Sequence, residues 1–147
     1  MTRLLLDINL VLDVLLDRHP DAEDASAVWS AVESGQAVGL LSAHAMTTVH
    51  YLNAKAVGPK MAGKTTEALL SVFDVAVVDE AVLRSAAAMG WRDFEDAVTT
   101  AAAIRSKCDA IVTRNTKDFR KAPIRVLSPA EAAASLTNRG RDARADS

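Results

Sequence analysis

The sequence predicts an α/β fold in which a twisted, mainly parallel sheet of about five strands is covered by helices on both faces. Short apolar runs alternate with segments of helical periodicity along the chain, and each run ends on a polar residue. Half of the residues are hydrophobic but only 4% are aromatic, so aliphatic side chains must build the core. Strands that are apolar throughout are buried on both faces, which is typical of parallel sheets between helical layers.

Five apolar runs are the predicted strands. In chain order they are RLLLD (3–7), VGLLS (38–42), VAVVD (75–79), AIVT (110–113) and IRVLS (124–128). In open α/β sheets, ligand sites form beyond the carboxyl ends of the strands. The polar residues at or just after these ends are therefore the first candidates for a functional site: Asp7, Asn9, Ser42, Thr113, Asn115 and Asp118.

Helices are predicted between the strands from apolar spacing and from end signals. Gly35 lies where the C-terminal cap of a helix in the segment 21–35 belongs. Ser128, Pro129 and Glu131 form the N-terminal signature of the last helix. The remaining helices are expected at about 9–17, 43–55, 63–72, 80–89 and 94–107.

The length of 147 residues predicts one domain, residues 1–136, followed by a polar tail, residues 137–147, that is expected to be disordered. The formal net charge of −2 excludes an overall basic nucleic-acid coat, although it allows a local basic groove. The single cysteine, Cys108, cannot form an internal disulfide, which fits a reducing compartment. Neither a signal peptide nor an apolar run of the ~20 residues that span a membrane is evident. A cytoplasmic protein without membrane association is therefore expected.

The segment GPKMAGKT, residues 58–65, matches the phosphate-loop pattern G-x-x-x-x-G-K-[ST]. That motif requires a strand before the loop and a helix after it, so that backbone N–H groups surround the phosphates. The preceding residues, TTVHYLNAKAV, have a helical pattern instead. The preferred interpretation is a helix–loop–helix connection, and nucleotide binding at 58–65 is kept as a minor alternative that a helix before Gly58 would exclude.

Three carboxylates lie within four residues at the start of a predicted helix, in the segment DFEDA (93–97). Asp93 as N-cap and Asp96 as third helical residue would share one face and would both be stabilised by the helix dipole. Glu95 points elsewhere, toward solvent or a surface partner, and Phe94 is expected on the apolar face. Clustered carboxylates also hold metal ions. Within this segment alone, capping and metal binding both remain open.

Three acid-bearing segments together carry a family resemblance. LLLDINLVLD, DFEDAV and AIVTRNTKDF occur in the order and at about the separations found in PIN-domain ribonucleases, and they resemble that family, including the VapC toxins of bacterial toxin–antitoxin pairs. The resemblance extends from Arg3 to about Ala134. It implies a PIN-like three-layer α/β/α fold, a metal-dependent endoribonuclease that requires Mg²⁺ or Mn²⁺, a homodimer and, for a toxin, a small antitoxin partner.

The resemblance also implies roles for individual residues. Asp7 and Asp96 are the implied metal ligands, and Asn9 orients Asp7 or a coordinated water. Asn115 and Asp118 complete the catalytic site, with Asp118 acting as a ligand directly or through water. For Asp118, a solvated loop acid is the alternative.

Two positions depart from the pattern of many family members. Thr48 stands where many members have a glutamate, and Asn115 stands where many have a fourth aspartate. Because ligand charge helps to set the affinity for hard cations, both departures weaken metal binding. Asp93 could compensate as an additional ligand. A catalytically weak or inactive PIN-like module that binds RNA or protein is therefore the alternative function.

RNA contacts are predicted for Arg114, Lys117 and Arg120, because these cations flank the proposed site. Arg92 and Arg105 are further candidates, and ordinary solvated charge is the alternative for each.

Other polar and aromatic residues receive structural interpretations. His44 and His50 are six residues apart and make a poor metal pair, because they do not share a helix face. Asp13 and Asp17 are expected to face water on the first helix. Trp91 is expected to be a packing anchor.

Overall fold

The computed structural model describes the backbone of residues 1–145 and the side chains of residues 1–137. Within these residues, five strands form one sheet in the order β3-β2-β1-β4-β5, and every pairing is parallel. The strands are β1 Arg3–Leu6, β2 Val38–Ser42, β3 Asp74–Ala76, β4 Ala110–Val112 and β5 Arg125–Leu127. The predicted five-stranded parallel sheet is confirmed.

Alternate residues of the central strands enter two separate cores. Leu4 and Leu6 face one core, whereas Leu5 between them faces the other. On β4, Ile111 shares the core of Leu5, and Ala110 and Val112 share that of Leu4. Successive side chains of a strand point to opposite faces, so an apolar run buries one core on each side. The fold therefore has the predicted three layers.

Seven α-helices lie in the described residues. They are α1 Ile8–Leu15, α2 Asp21–Glu33, α3 Ala43–Val57, α4 Pro59–Val72, α5 Glu80–Met89, α6 Phe94–Arg105 and α7 Pro129–Ala145. The first four and α7 contribute to the core that contains Leu4, whereas α5 and α6 contribute to the core that contains Leu5. None of the described helices has the length and apolar character needed to cross a membrane.

Several predicted helix ends are confirmed by their hydrogen bonds. The last helix begins with a reciprocal capping box, in which Glu131 N donates to Ser128 Oγ (3.1 Å) and Ser128 N donates to Glu131 Oε1 (3.0 Å). Gly35 adopts φ +82° just after α2, the left-handed conformation typical of a helix end.

Some predicted boundaries were wrong. The strand expected at 75–79 is β3, Asp74–Ala76, and the helix expected at 63–72 begins already at Pro59, where a proline suits the first helical turn. The structure continues α7 through Ala145, whereas a disordered tail was predicted from residue 137. Alanine and arginine are strong helix formers, which favours this extension. Residues 146 and 147 lie outside the described residues, and the domain boundary at 136 stays a prediction.

Gly58 connects two helices, since α3 ends at Val57 and α4 begins at Pro59. A phosphate loop requires a strand at its entrance. The alternative of nucleotide binding at 58–65 is therefore excluded by the structure.

Candidate active site

Asp7 lies at the carboxyl end of the central strand β1. Its backbone N–H donates to Val112 O (2.9 Å), which continues the pairing with β4 by one residue. Its carboxylate accepts two hydrogen bonds, from Ile8 N to Oδ1 (2.9 Å) and from Thr113 Oγ1 to Oδ2 (3.0 Å). The side chain is thus fixed by the helix start on one side and by the neighbouring strand on the other.

Burial dominates the electrostatics of Asp7, which is only 6% exposed. Desolvation raises the pKa of its carboxyl group, and hydrogen bonds from Thr113, Ile8 and Asn9 act in the opposite direction. Asn9 thus lies within hydrogen-bonding reach of Asp7, and its role in orienting Asp7 stays a prediction. A buried carboxylate that keeps lone pairs free beside two hydrogen bonds can accept a further electropositive ligand.

Thr113 joins the end of β4 to the site. Its hydroxyl is fully buried, donates to Asp7 and accepts from Asn115 N (3.0 Å). One hydroxyl therefore aligns the end of β1 with the loop that carries Asn115 and Asp118. Thr113 was one of the strand-end candidates in the sequence, but no role in the site was predicted for it.

Asp93 and Asp96 lie together at the start of α6. Asp93 Oδ1 accepts from Asp96 N (3.1 Å), so Asp93 is the N-cap, as predicted. Asp96 is half-buried, and its pKa rises to about 7. Burial is the largest cause, followed by the negative charges of Asp93, Asp7, Asp118 and Glu95. The structure therefore brings the acids of all three predicted segments into one electrostatic cluster.

Asp118 and Asn115 lie beside this cluster, on the connection that follows β4. Asp118 is exposed in a short 3-10 helix, Thr116–Phe119, and its backbone N–H donates to Asn115 O (3.0 Å). Phe119 anchors this turn, because its buried ring packs edge-to-face on Trp91 with centroids 6.3 Å apart. The predicted packing role of Trp91 is confirmed.

An open groove of about 850 Å³ lies in front of the cluster. Asp93, Asp96 and Asp118 line it, together with the ring of Phe94. Four basic side chains also line it: Arg92, Lys117, Arg120 and Lys121. Negative charge at one part of a groove with positive charge around it is an arrangement that can hold a divalent cation and a phosphodiester at the same place.

The carboxylates of the cluster suit a metal ion by their chemistry but are not yet gathered around one point. As the side chains stand, no three His, Cys, Asp or Glu residues in the described part of the chain are gathered closely enough to hold one. The chemistry of the donors nevertheless suits Mg²⁺ or Mn²⁺, because Asp7, Asp93, Asp96 and Asp118 offer only carboxylate oxygens. The repulsion that raises the pKa of Asp96 is also the repulsion that a bound cation relieves.

Arg114 occupies a different environment from the other predicted RNA contacts. Its Nε lies 3.4 Å from Asp13 Oδ2, and one terminal nitrogen lies 3.0 Å from Asp21 Oδ2. Asp13 was expected to face water, but it is 1% exposed, and its second partner is Arg18 at 3.7 Å. Arg114 thus attaches the loop after β4 to α1 and α2, which favours a structural role over the predicted contact with RNA.

Arg105 lies 3.6 Å from Asp79, the N-cap of α5, and does not line the groove. Of the five basic residues that were candidates for RNA contacts, Arg92, Lys117 and Arg120 do line the groove.

Two residues near the site were missed from the sequence, Lys121, which lines the groove, and His44. His44 lies in the first turn of α3, just beyond the end of β2, and both of its ring nitrogens are buried without a hydrogen-bond partner in the described residues. Burial lowers the pKa of His44, while the carboxylate of Glu95 acts in the opposite direction. Glu95 is exposed, as predicted, but its charge also raises the pKa values of Asp7 and Asp96, so it lies near the cluster.

Thr48 follows His44 by four residues on α3, so the two lie on the same helix face. The sequence signal that could have identified His44 is therefore its spacing from Thr48, the position at which the expected glutamate is missing.

Known proteins resemble this chain both in sequence and in fold. The family model described as PIN domain matches residues 3–117. A toxin–antitoxin complex from Klebsiella pneumoniae has a similar fold, with 24% identity, a TM-score of 0.66, and coverage of 86% of this chain and 98% of that chain. DNA-bound VapBC from Salmonella typhimurium has 18% identity, a TM-score of 0.67, and coverage of 88% and 99%.

A third similar structure is VapC20 of Mycobacterium tuberculosis, described as a sarcin-ricin loop cleaving toxin. It has 17% identity, a TM-score of 0.60, and coverage of 74% of this chain and 86% of that chain. At these identities the structural matches show a shared fold. No protein with a curated description matches the sequence.

Proposed function

Because this chain belongs to the PIN-domain family, we propose that it is a metal-dependent endoribonuclease that hydrolyses RNA phosphodiesters as the toxin of a toxin–antitoxin pair. The observation that carries this proposal is the carboxylate cluster, in which burial and four neighbouring acids raise the pKa of Asp96 to about 7. Perturbed carboxylates in an open groove are typical of catalytic sites.

Asp7 and Asp96 are the proposed ligands of Mg²⁺ or Mn²⁺, with Asp93 and Asp118 as further oxygen donors at the groove. A cation held by these carboxylates would supply Lewis-acid chemistry, which lowers the pKa of a bound water and offsets charge on a phosphodiester. The chain supplies the rigid frame for this chemistry, since Thr113 and the start of α1 fix the carboxylate of Asp7. Asn9 helps to orient Asp7, and Asn115 contributes an amide beside Asp118.

Lys117, Arg120 and Arg92 are the proposed phosphate contacts, because they line the groove that contains Asp96. An antitoxin and a second copy of this chain are the proposed protein partners. The similar structures include toxin–antitoxin complexes, which supports the first of these.

The proposed function is tested by cleavage of a structured RNA with purified protein in Mg²⁺, Mn²⁺ or EDTA. We expect cleavage in Mg²⁺ or Mn²⁺, none in EDTA, and a loss of at least about 100-fold in Asp7→Asn and Asp96→Asn, since each removes a charged ligand. Glu67→Gln is the matched control, because Glu67 is an exposed acid on α4 outside the groove. Equal cleavage by Asp96→Asn and the parent protein would overturn the proposal.

The second candidate function is a PIN-like module that binds RNA or protein without cutting. Thr48 and Asn115 favour it, because each replaces a charged ligand of many relatives with a neutral side chain. RNA binding by folded, antitoxin-free protein, with no cleavage in either metal, would select this function.

A further inference from the structure

Phe94 places an aromatic ring in the groove. It is the first residue of α6 and shares a helix face with Ala97 and Val98, both of which are buried. Phe94 is nevertheless 51% exposed, and it lines the groove together with Asp93 and Asp96. Phe94 thus lies on the expected apolar face of α6, but it is exposed because it is the first residue of the helix, at the groove.

The aromatic surface of Phe94 is free for a ligand. Trp91, the other aromatic residue of the groove, is half-buried and packs on Phe119. No ring contact engages Phe94 among the residues that the structure describes. An exposed ring beside a catalytic cluster loses no internal packing when a flat, apolar group stacks on it.

The charges around Phe94 indicate which kind of ligand would stack on its ring. Arg92, Lys117, Arg120 and Lys121 line the same groove, and none of them forms an ion pair in the described part of the chain. Unpaired cations interleaved with an exposed aromatic ring are the combination that binds single-stranded nucleic acid, with phosphates on the cations and a base on the ring.

We propose that Phe94 is a specificity-determining residue that stacks on an unpaired nucleobase next to the scissile phosphodiester. This inference rests on the proposed function, since it assigns a base contact to the same site. In a duplex both faces of each base are covered by its neighbours, and a side chain reaches only the edges and the backbone. A base must be unstacked to meet the ring of Phe94.

Binding can be measured without cleavage, in EDTA, by fluorescence anisotropy of a short unpaired oligoribonucleotide and of a duplex of the same sequence. We expect Phe94→Leu to weaken binding of the unpaired strand by about 10-fold or more, because base–aromatic stacking has this magnitude. Phe94→Trp should restore or exceed the parent affinity. A 2-aminopurine placed in the strand should be quenched by the parent protein and less so by Phe94→Leu.

Two matched controls separate stacking from other effects. Ile104→Ala also removes an exposed apolar side chain from α6, but Ile104 lies outside the groove and its replacement should leave binding unchanged. Lys117→Ala should weaken binding of both RNA forms and reduce the salt dependence. Thermal unfolding of Phe94→Leu should match the parent, because the replaced ring is exposed.

The outcomes distinguish this inference from the proposed function. Cleavage that depends on Asp96, combined with unchanged RNA affinity in Phe94→Leu, overturns the stacking role while leaving the nuclease intact. Equal affinity for duplex and unpaired RNA overturns it as well. Stacking without cleavage supports the inference and rejects the nuclease. Loss of antitoxin binding in Phe94→Leu with RNA affinity unchanged would identify Phe94 as a protein contact instead.

Discussion

The charged form of the Asp96 carboxyl group is destabilised in the folded protein. Burial and four neighbouring acids raise its pKa to about 7, so its proton is lost from the folded protein only near neutral pH. In the unfolded chain the same group ionises near its ordinary value of 3.8. The neutral form is thus favoured by folding, and the stability associated with it is present at low pH and lost as the pH rises through about 7.

Asp96→Asn should therefore stabilise the metal-free protein, and by more at alkaline than at acidic pH. We expect the gain in free energy of unfolding to be larger at pH 8 than at pH 5 by about 1–2 kcal/mol, a value reduced for solvent screening of a half-buried group. Urea denaturation in EDTA at both pH values measures it. Glu67→Gln serves as the control, and a gain independent of pH would contradict the electrostatic origin.

Among single residues, those at the ends of strands were the most predictable from sequence. Asp7 and Asp118 flank strands that are adjacent in a parallel sheet, so their convergence follows from topology. The burial of Asp13 and the exposure of Phe94 were not predictable, because each depends on an element distant in sequence. Arg114 covers Asp13 from a loop about a hundred residues away, and the groove rim exposes Phe94.

At the scale of the elements, the loop after β4 is attached at both of its sides. Thr113 connects it to the end of β1, and Arg114 connects it to α1 and α2. Burial raises the pKa of Asp13, whereas the charge of Arg114 lowers it. Without Arg114, Asp13 would keep only the more distant Arg18, at 3.7 Å.

Arg114→Ala should destabilise the protein by about 2 kcal/mol, because it leaves a buried carboxylate poorly compensated. In an Asp13→Asn background the same change should cost less than half as much, since the charge to be compensated is gone. Thermal or urea denaturation of the four proteins gives the coupling energy. Arg84→Ala breaks an exposed pair with Glu80 and should have an effect within about 0.5 kcal/mol. A coupling near zero would assign Arg114 to another role.

The central strands β1 and β4 were predicted well, and the reason is physical. A strand buried on both faces must be apolar at every position, which leaves a clear signal in the sequence. The junction of α3 and α4 has no such signal, because Gly58 interrupts two helices without a strand. The segment DFEDA serves helix capping and the acidic cluster together, since Asp93 caps α6 and Asp96 lies in the cluster.

For the whole molecule, the acidic cluster predicts a link between stability and divalent cations. A cation that binds the folded protein alone stabilises it by mass action, by about 1.4 kcal/mol at ten times its Kd. For a chain of this size that corresponds to a rise in Tm of roughly 3–6 °C. We expect this rise for Mn²⁺ with the parent protein and its loss in Asp7→Asn. A rise that survives in Asp7→Asn would place the cation elsewhere.

The central position of β1 has a consequence for the order in which the molecule is made. Arg3 and Asp109, a pair that closes β1 against the start of β4, are separated by 106 residues along the chain. A ribosome adds residues one at a time from the N-terminus, so β1 can pair with β2 early but with β4 only much later. Asp7 emerges early, but Thr113, which donates a hydrogen bond to its carboxylate, is made 106 residues later. The edge of the sheet that carries Asp7 therefore receives Asp96 and Asp118 only after α6, β4 and the turn that follows β4 have been made.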